Sequence, residues 1–168
     1  SRNEYGGGSN WTFGNPKSIM ATAHKNLSHF DPDQLPAGKG LSIALVVAQW
    51  NHEITAALYE GAKATLLSAG VQAADITTYR VPGSFELIYG SKHAQSKNPD
   101  AVIAIGSVIQ GATKHFDFVC QAVSQGIKDL NVQSNIPVIF CVLTDNTLEQ
   151  AQDRSGGKHG NKGVEAAV

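Results

Sequence analysis

Three short apolar runs and a fourth strand-like segment, alternating with stretches of helical periodicity, limit what this chain can become. Leu41-Ser-Ile-Ala-Leu-Val-Val-Ala48, Ala101-Val-Ile-Ala-Ile-Gly-Ser-Val108 and Pro137-Val-Ile-Phe-Cys-Val-Leu143 are near-continuous apolar runs, and Ile76 to Val81 reads as a further strand. An apolar run without hydrophobic–polar alternation is what a strand buried on both faces of a parallel sheet requires. After the first run, Ile54, Leu58, Ala62, Leu66 and Ala69 recur at helical spacing, with Asn51 placed to cap the helix and Gly70 to end it. Pro82-Gly83 turns the chain, and Ser84 is placed to cap a second helix reaching to about Ser96. Phe116, Val119, Cys120, Val123, Ile127 and Leu130 mark one face of a third. Thr147-Leu-Glu-Gln150 forms a capping box that opens a fourth, and a last helix begins near Gly163. Strand–helix repetition of this kind predicts an α/β fold, with a four-stranded parallel sheet covered by helices on both faces and right-handed crossovers.

Composition narrows the class further. A chain of 168 residues is one domain by size, and 42% hydrophobic residues suffice for its core. The 16% of charged residues is low for a monomer, leaving surface that another subunit could cover. Thirteen basic against fourteen acidic residues give a net charge of −1, so no basic field argues for nucleic acid. No run is long and apolar enough to span a membrane. Cys120 and Cys141 cannot build a disulfide framework, no Cys or His spacing resembles a zinc site, and a reducing, cytoplasmic setting is the expectation. Residues 1–19, with Gly6-Gly7-Gly8-Ser9 and no periodicity, read as a non-native or disordered extension before Met20. Residues 20–40, polar and interrupted by Pro32 and Pro36, read as an extended arm that could cover a neighbour's sheet edge, and residues 41–168 as the folded domain.

In parallel α/β sheets ligands sit at the carboxyl ends of the strands. That rule selects the loops Gln49-Trp50-Asn51, Pro82 to Glu86, Ile109 to His115, and Thr144-Asp145-Asn146. Trp50 is either a stacking platform for a planar ligand or an aromatic packed on its neighbours. The small residues Gly111, Ala112 and Thr113 would let backbone N–H groups approach an anion at a helix N-terminus, although many strand-to-helix turns are small and polar. His115 is either a proton shuttle or a surface histidine at a helix start. Glu86 is either a hydroxyl acceptor or a first-turn carboxylate favoured by the helix dipole. Arg154, Lys158, His159 and Lys162, set among glycines, form a phosphate-binding turn or a solvated helix end. The two cysteines read as core filler.

Three blocks carry a resemblance. Val81-Pro-Gly-Ser-Phe-Glu86, Ala104-Ile-Gly-Ser-Val-Ile-Gln-Gly-Ala-Thr-Lys-His-Phe-Asp117 and Gly157-Lys-His-Gly-Asn-Lys-Gly163 resemble, in order and in register, the signature blocks of the lumazine synthase family. The likeness runs from about Leu41 to Val168 and implies a three-layer flavodoxin-like sandwich. It implies condensation of 5-amino-6-(ribitylamino)uracil with 3,4-dihydroxy-2-butanone 4-phosphate through a Schiff base, loss of phosphate and ring closure, with no metal or organic cofactor. Position by position, Trp50 would stack on the pyrimidine. Ser84, Phe85 and Glu86 would hold the ribityl chain, and the backbone of Ser107, Val108 and Ile109 would read the pyrimidine edge. Gly111, Ala112 and Thr113 would face the phosphate, and His115 would move protons. Phe140, Arg154 and Lys162 would come from a neighbouring subunit, with Arg154 on the phosphate.

The resemblance also implies a homo-oligomer, a pentamer with sites between subunits. The short turn before Asn161 matches members that close into a shell of sixty subunits. Gln110 departs from a common arginine, Ser155 and Gly157 from a commoner alanine and threonine, and the family continues past Val168, so a shortened last helix is expected to leave pentamers less stable. Rival readings are an archaeal-type riboflavin synthase, a shell scaffold derived from the family, and a flavin-binding flavodoxin-like module.

Overall fold

The computed structural model describes residues 26–168; the expectations placed on residues 1–19 and on Met20 to Lys25 lie outside it. Four strands, β1 (Ile43–Ala48), β2 (Ile76–Val81), β3 (Ala101–Ile109) and β4 (Val138–Asp145), form one sheet in the order β2-β1-β3-β4. All three pairings are parallel. The helices are α1 (His52–Ser68), α2 (Leu87–Gln95), α3 (His115–Gln133), α4 (Leu148–Arg154) and α5 (Lys162–Ala167). Leu45 and Val47 point to one face, where Ile54, Leu58, Ala62 and Leu66 of α1 and Ala151 of α4 cover them. Ala44, Val46 and Ala48 point to the other, against Leu87 and Ala94 of α2 and Val123, Ile127 and Leu130 of α3. The alternation within β1 thus feeds two separate cores, which is why its sequence shows no polar side.

Helix ends follow local chemistry. Gly70, at φ +96°, closes α1: its N–H bonds the Leu67 carbonyl at 3.1 Å and the Val71 N–H bonds that of Leu66 at 3.0 Å. This is a Schellman ending, which needs a left-handed residue. Thr147 caps α4 by accepting from the Gln150 N–H at 3.2 Å, while Gln150 Oε1 accepts from the Asn146 N–H at 2.8 Å. Two expected caps are corrected. Asn51 makes no side-chain bond to its own helix, because its backbone is left-handed (φ +57°) and its amide turns toward β3. Ser84 does not cap α2, which starts only at Leu87; Ser84 is buried against β3, and its carbonyl accepts the Leu87 N–H at 3.1 Å.

Between α4 and α5 lies a small antiparallel hairpin, β5 (Ser155–Gly157) and β6 (Gly160–Asn161), too short and glycine-rich to show periodicity. Asn161 locks it. Its Oδ1 accepts from the Gly163 and Val164 N–H groups at 2.8 and 3.3 Å, and its Nδ2 donates to the Ala57 carbonyl at 2.9 Å. Gly163 lies so close to the Leu58 carbonyl that a Cβ has no room, so α5 packs tightly on α1.

The described part of the arm is residues 26–40. It holds a 3-10 turn at Pro32–Gln34, Leu27 donates to the His159 carbonyl at 2.6 Å, and Ser28 Oγ accepts from the Asn161 N–H at 2.8 Å. It packs on its own chain because the hairpin offers free backbone groups there. Cys141 is fully buried, but Cys120 is only half-buried, since the first turns of α3 overhang the sheet. No helix among the described residues is long and apolar enough to cross a membrane.

Candidate active site

The carboxyl ends of β2, β1 and β3 open into one cavity of about 1000 Å³. Its walls come from three loops and from the overhanging start of α3. Trp50 follows β1 directly and is 74% exposed, so its indole lies open rather than packed. Its backbone is fixed, however: the Gln49 N–H bonds the Val81 carbonyl at 2.8 Å and the Trp50 N–H bonds that of Pro82 at 2.9 Å. These two bonds extend the β1–β2 ladder past its last residues and hold the two loops together.

On the second loop, the Gly83 N–H donates to Glu86 Oε2 at 3.0 Å, so the carboxylate is folded onto its own turn. An ionised carboxylate has about four acceptor sites, so one such bond leaves capacity for a ligand hydroxyl. Phe85 is exposed and lines the cavity beside it. Ser84 reaches the floor because Gly106 of β3 has no side chain; a Cβ there would meet Ser84 Oγ at 2.6 Å. On β3, Ser107 is 2% exposed and its Oγ has no hydrogen-bond partner among the described residues. Val108 and Ile109 continue the floor, and Gly111, Thr113 and His115 close it at the mouth of α3. The His115 N–H lies 3.4 Å from Thr113 Oγ1, a weak cap for that helix.

The sites expected from sequence therefore divide. Trp50, Ser84, Phe85, Glu86, Ser107, Val108, Ile109, Gly111, Thr113 and His115 line this cavity. Ala112 is exposed in the same loop but is not part of its wall. Phe140, Arg154 and Lys162 lie elsewhere on this chain. Phe140 faces a separate shallow groove with Ser124, Ile127, Lys128, Asn131 and Val132. Arg154 stands past the end of β4, where Nη1 lies 3.5 Å from Asp145 Oδ1 and donates to the Gln150 carbonyl at 3.0 Å. Lys162 Nζ lies 3.9 Å from Glu165 Oε2. Asp145 is 6% exposed and its Oδ2 has no hydrogen-bond partner among the described residues. Burial raises its pKa above the ordinary carboxylate range, and the Arg154 charge offsets only part of that.

Sequence reasoning missed one wall. Phe118, Gln121, Ala122 and Gln125 of α3 line the cavity, as does Asn51. Those four recur at i, i+3, i+4 and i+7, a second stripe beside the core face of the same helix. Phe118, 66% exposed and off the core face, was the legible signal. Among the described residues no group of three His, Cys, Asp or Glu side chains converges as a metal site would require.

An open, aromatic-walled cavity at the carboxyl edge of an all-parallel sheet, floored by strand backbone, defines an α/β enzyme acting on a planar, polar small molecule. Comparison with known proteins makes this specific. The profile described as 6,7-dimethyl-8-ribityllumazine synthase matches residues 40–168. The chain is 60% identical over 150 residues to 6,7-dimethyl-8-ribityllumazine synthase of Flavobacterium johnsoniae, covering 89% of this chain and 79% of that protein. The enzyme of the same name from Christiangramia forsetii is 58% identical over 151 residues, covering 89% of this chain and 90% of its own length. That of Porphyromonas gingivalis is 56% identical over 150 residues, covering 89% and 93%. The chain belongs to the 6,7-dimethyl-8-ribityllumazine synthase family, transferases of riboflavin biosynthesis.

Proposed function

We propose that this chain condenses 5-amino-6-(ribitylamino)uracil with 3,4-dihydroxy-2-butanone 4-phosphate, releasing inorganic phosphate and water, at a site completed by a second copy. The observation that carries the reading is that Trp50, Glu86 and His115 come from three separate loops and line one cavity. In this reading the pyrimidine stacks on the Trp50 indole and its polar edge meets the backbone of Ser107, Val108 and Ile109. The ribityl hydroxyls reach Ser84, Phe85 and the remaining acceptor sites of Glu86. The pyrimidine's 5-amino group attacks the ketone, and water leaves as the Schiff base forms. His115, exposed at the cavity mouth, moves protons during this step and during loss of phosphate. Loss of phosphate leaves an enol that tautomerises to a new ketone at the former C3 hydroxyl carbon, and the ribitylamino nitrogen closes the ring on it with loss of a second water.

Phosphate needs a fixed cation as it leaves. The cavity wall of one chain includes no Arg or Lys, and it has open aromatic sides at Trp50, Phe85 and Phe118. Arg154 and Lys162, with Phe140, would complete it from a neighbouring copy, so the working unit is a closed ring, a pentamer or an assembly of pentamers. Gly111, Ala112 and Thr113 supply N–H donors at the start of the 19-residue α3, where the helix dipole favours an anion.

Mixing the two substrates with the protein tests this. One phosphate and one lumazine should appear per pyrimidine consumed, read by a phosphate assay and by mass. Consumption of the lumazine itself, with riboflavin as product, would instead support the riboflavin synthase reading.

A further inference from the structure

Asn51 is the one non-glycine residue of the cavity wall with a left-handed backbone, at φ +57° and ψ +48°. Asparagine tolerates that region better than most residues, but holding it there still needs support from its surroundings. The support is visible. Asn51 Nδ2 donates to the Ser107 carbonyl at 2.8 Å, bridging 56 residues of sequence. The ladder between β1 and β3 ends at Val47 and Ile105, because β1 leaves the sheet while β3 runs on to Ile109. Past that point β1 supplies no ladder N–H to β3, and the Asn51 amide takes that place.

Two loops and the end of β3 are thereby tied together. The Trp50 N–H bonds the Pro82 carbonyl on the β2 side, and the next residue's side chain bonds β3 on the other. Trp50, 74% exposed, has little packing of its own to set its position.

We propose that Asn51 is a positioning residue: its amide bond to Ser107 sets the indole of Trp50 against the β3 floor at the spacing a stacked pyrimidine needs. The proposal rests on the assignment of the cavity to 5-amino-6-(ribitylamino)uracil. It separates two properties of asparagine, tolerance of the left-handed backbone and donation from the amide. Asn51→Gly keeps the first and loses the second. Asn51→Asp keeps the shape but sets a carboxylate oxygen against the Ser107 carbonyl.

The test uses full-length assembled protein in a Trp11→Phe background, so that Trp50 is the sole tryptophan. Quenching of Trp50 fluorescence by 5-amino-6-(ribitylamino)uracil gives its dissociation constant, and steady-state kinetics give KM for each substrate. Asn51→Gly should weaken pyrimidine binding and raise its KM by about tenfold, and Asn51→Asp by more. The KM for the butanone phosphate should stay within about twofold, and the thermal midpoint of Asn51→Gly should match that of the parent. Either variant binding the pyrimidine as tightly as the parent overturns the proposal, as does an equal rise in both KM values. A parent that fails to bind the pyrimidine at all would instead overturn the assignment of the cavity.

Discussion

The two ends of the sheet's carboxyl edge are built from different materials. At β2, β1 and β3 the wall is aromatic and amide-rich, backbone bonds tie loop to loop, and Glu86 is its one carboxylate. At β4 the chemistry is ionic: Asp145 is buried beside Arg154, and Lys162 stands on the helix beyond. The first region fits a flat, polyhydroxylated, neutral molecule, and the second fits an anion. In the proposed function the two substrates are therefore recognised on surfaces of one chain that do not share a cavity. That separation is the physical argument for a second copy, because condensation needs both substrates within bonding distance.

The largest effect that sharpens this contrast lies at the mouth of the neutral region. His115→Ala should lower kcat by about tenfold to a hundredfold, the low end for general acid–base catalysis, with either KM little changed. An unchanged kcat in single-turnover measurements would remove His115 from the proton transfers. A smaller, more selective effect belongs to the ionic region. Arg154→Ala should raise KM for the butanone phosphate about tenfold, by loss of a charge-assisted contact, and leave KM for the pyrimidine within about twofold. Equal rises for both substrates would erase the division of labour.

The smallest effect concerns stability. Asp145 holds its proton to higher pH in the folded chain than in the unfolded one. Between the ordinary carboxylate range and that raised value the folded state binds more protons, so stability falls as pH rises through the window and is level above it. Asp145→Asn should remove this decline, read as thermal midpoint against pH from about 4 to 7. A decline of the same size in the variant would place its origin elsewhere.

How much of this was legible beforehand depends on how far each feature is set by local sequence. The sheet was legible because β1, β3 and β4 are buried on both faces and their apolar runs have few polar breaks. Gly70 and Thr147 were legible as helix ends because each acts within four residues of itself. Asn51 and Ser84 were misjudged as caps for the opposite reason. Residue type says that a polar side chain will bond, but which partner it takes is decided by strands 22 or more residues away. The β5–β6 hairpin escaped because two or three residues show no period. In the site, Trp50, Glu86 and His115 stood out by chemistry and place, whereas the Phe118 stripe was masked by the stronger core stripe of α3.

The central claim is that one working site draws on two chains. Co-expression of a His115→Ala chain with an Arg154→Ala chain tests it most directly, with each variant tagged differently so that mixed assemblies can be isolated. In a shared site, a pairing of intact His115 from one chain with intact Arg154 from its neighbour is whole. With the butanone phosphate held well below its KM, where the Arg154→Ala chain is slow, random mixing should then restore about one quarter of the wild-type rate, well above either variant alone. Turnover equal to the average of the two separate variants would mean that each site belongs to a single chain, and would contradict the account.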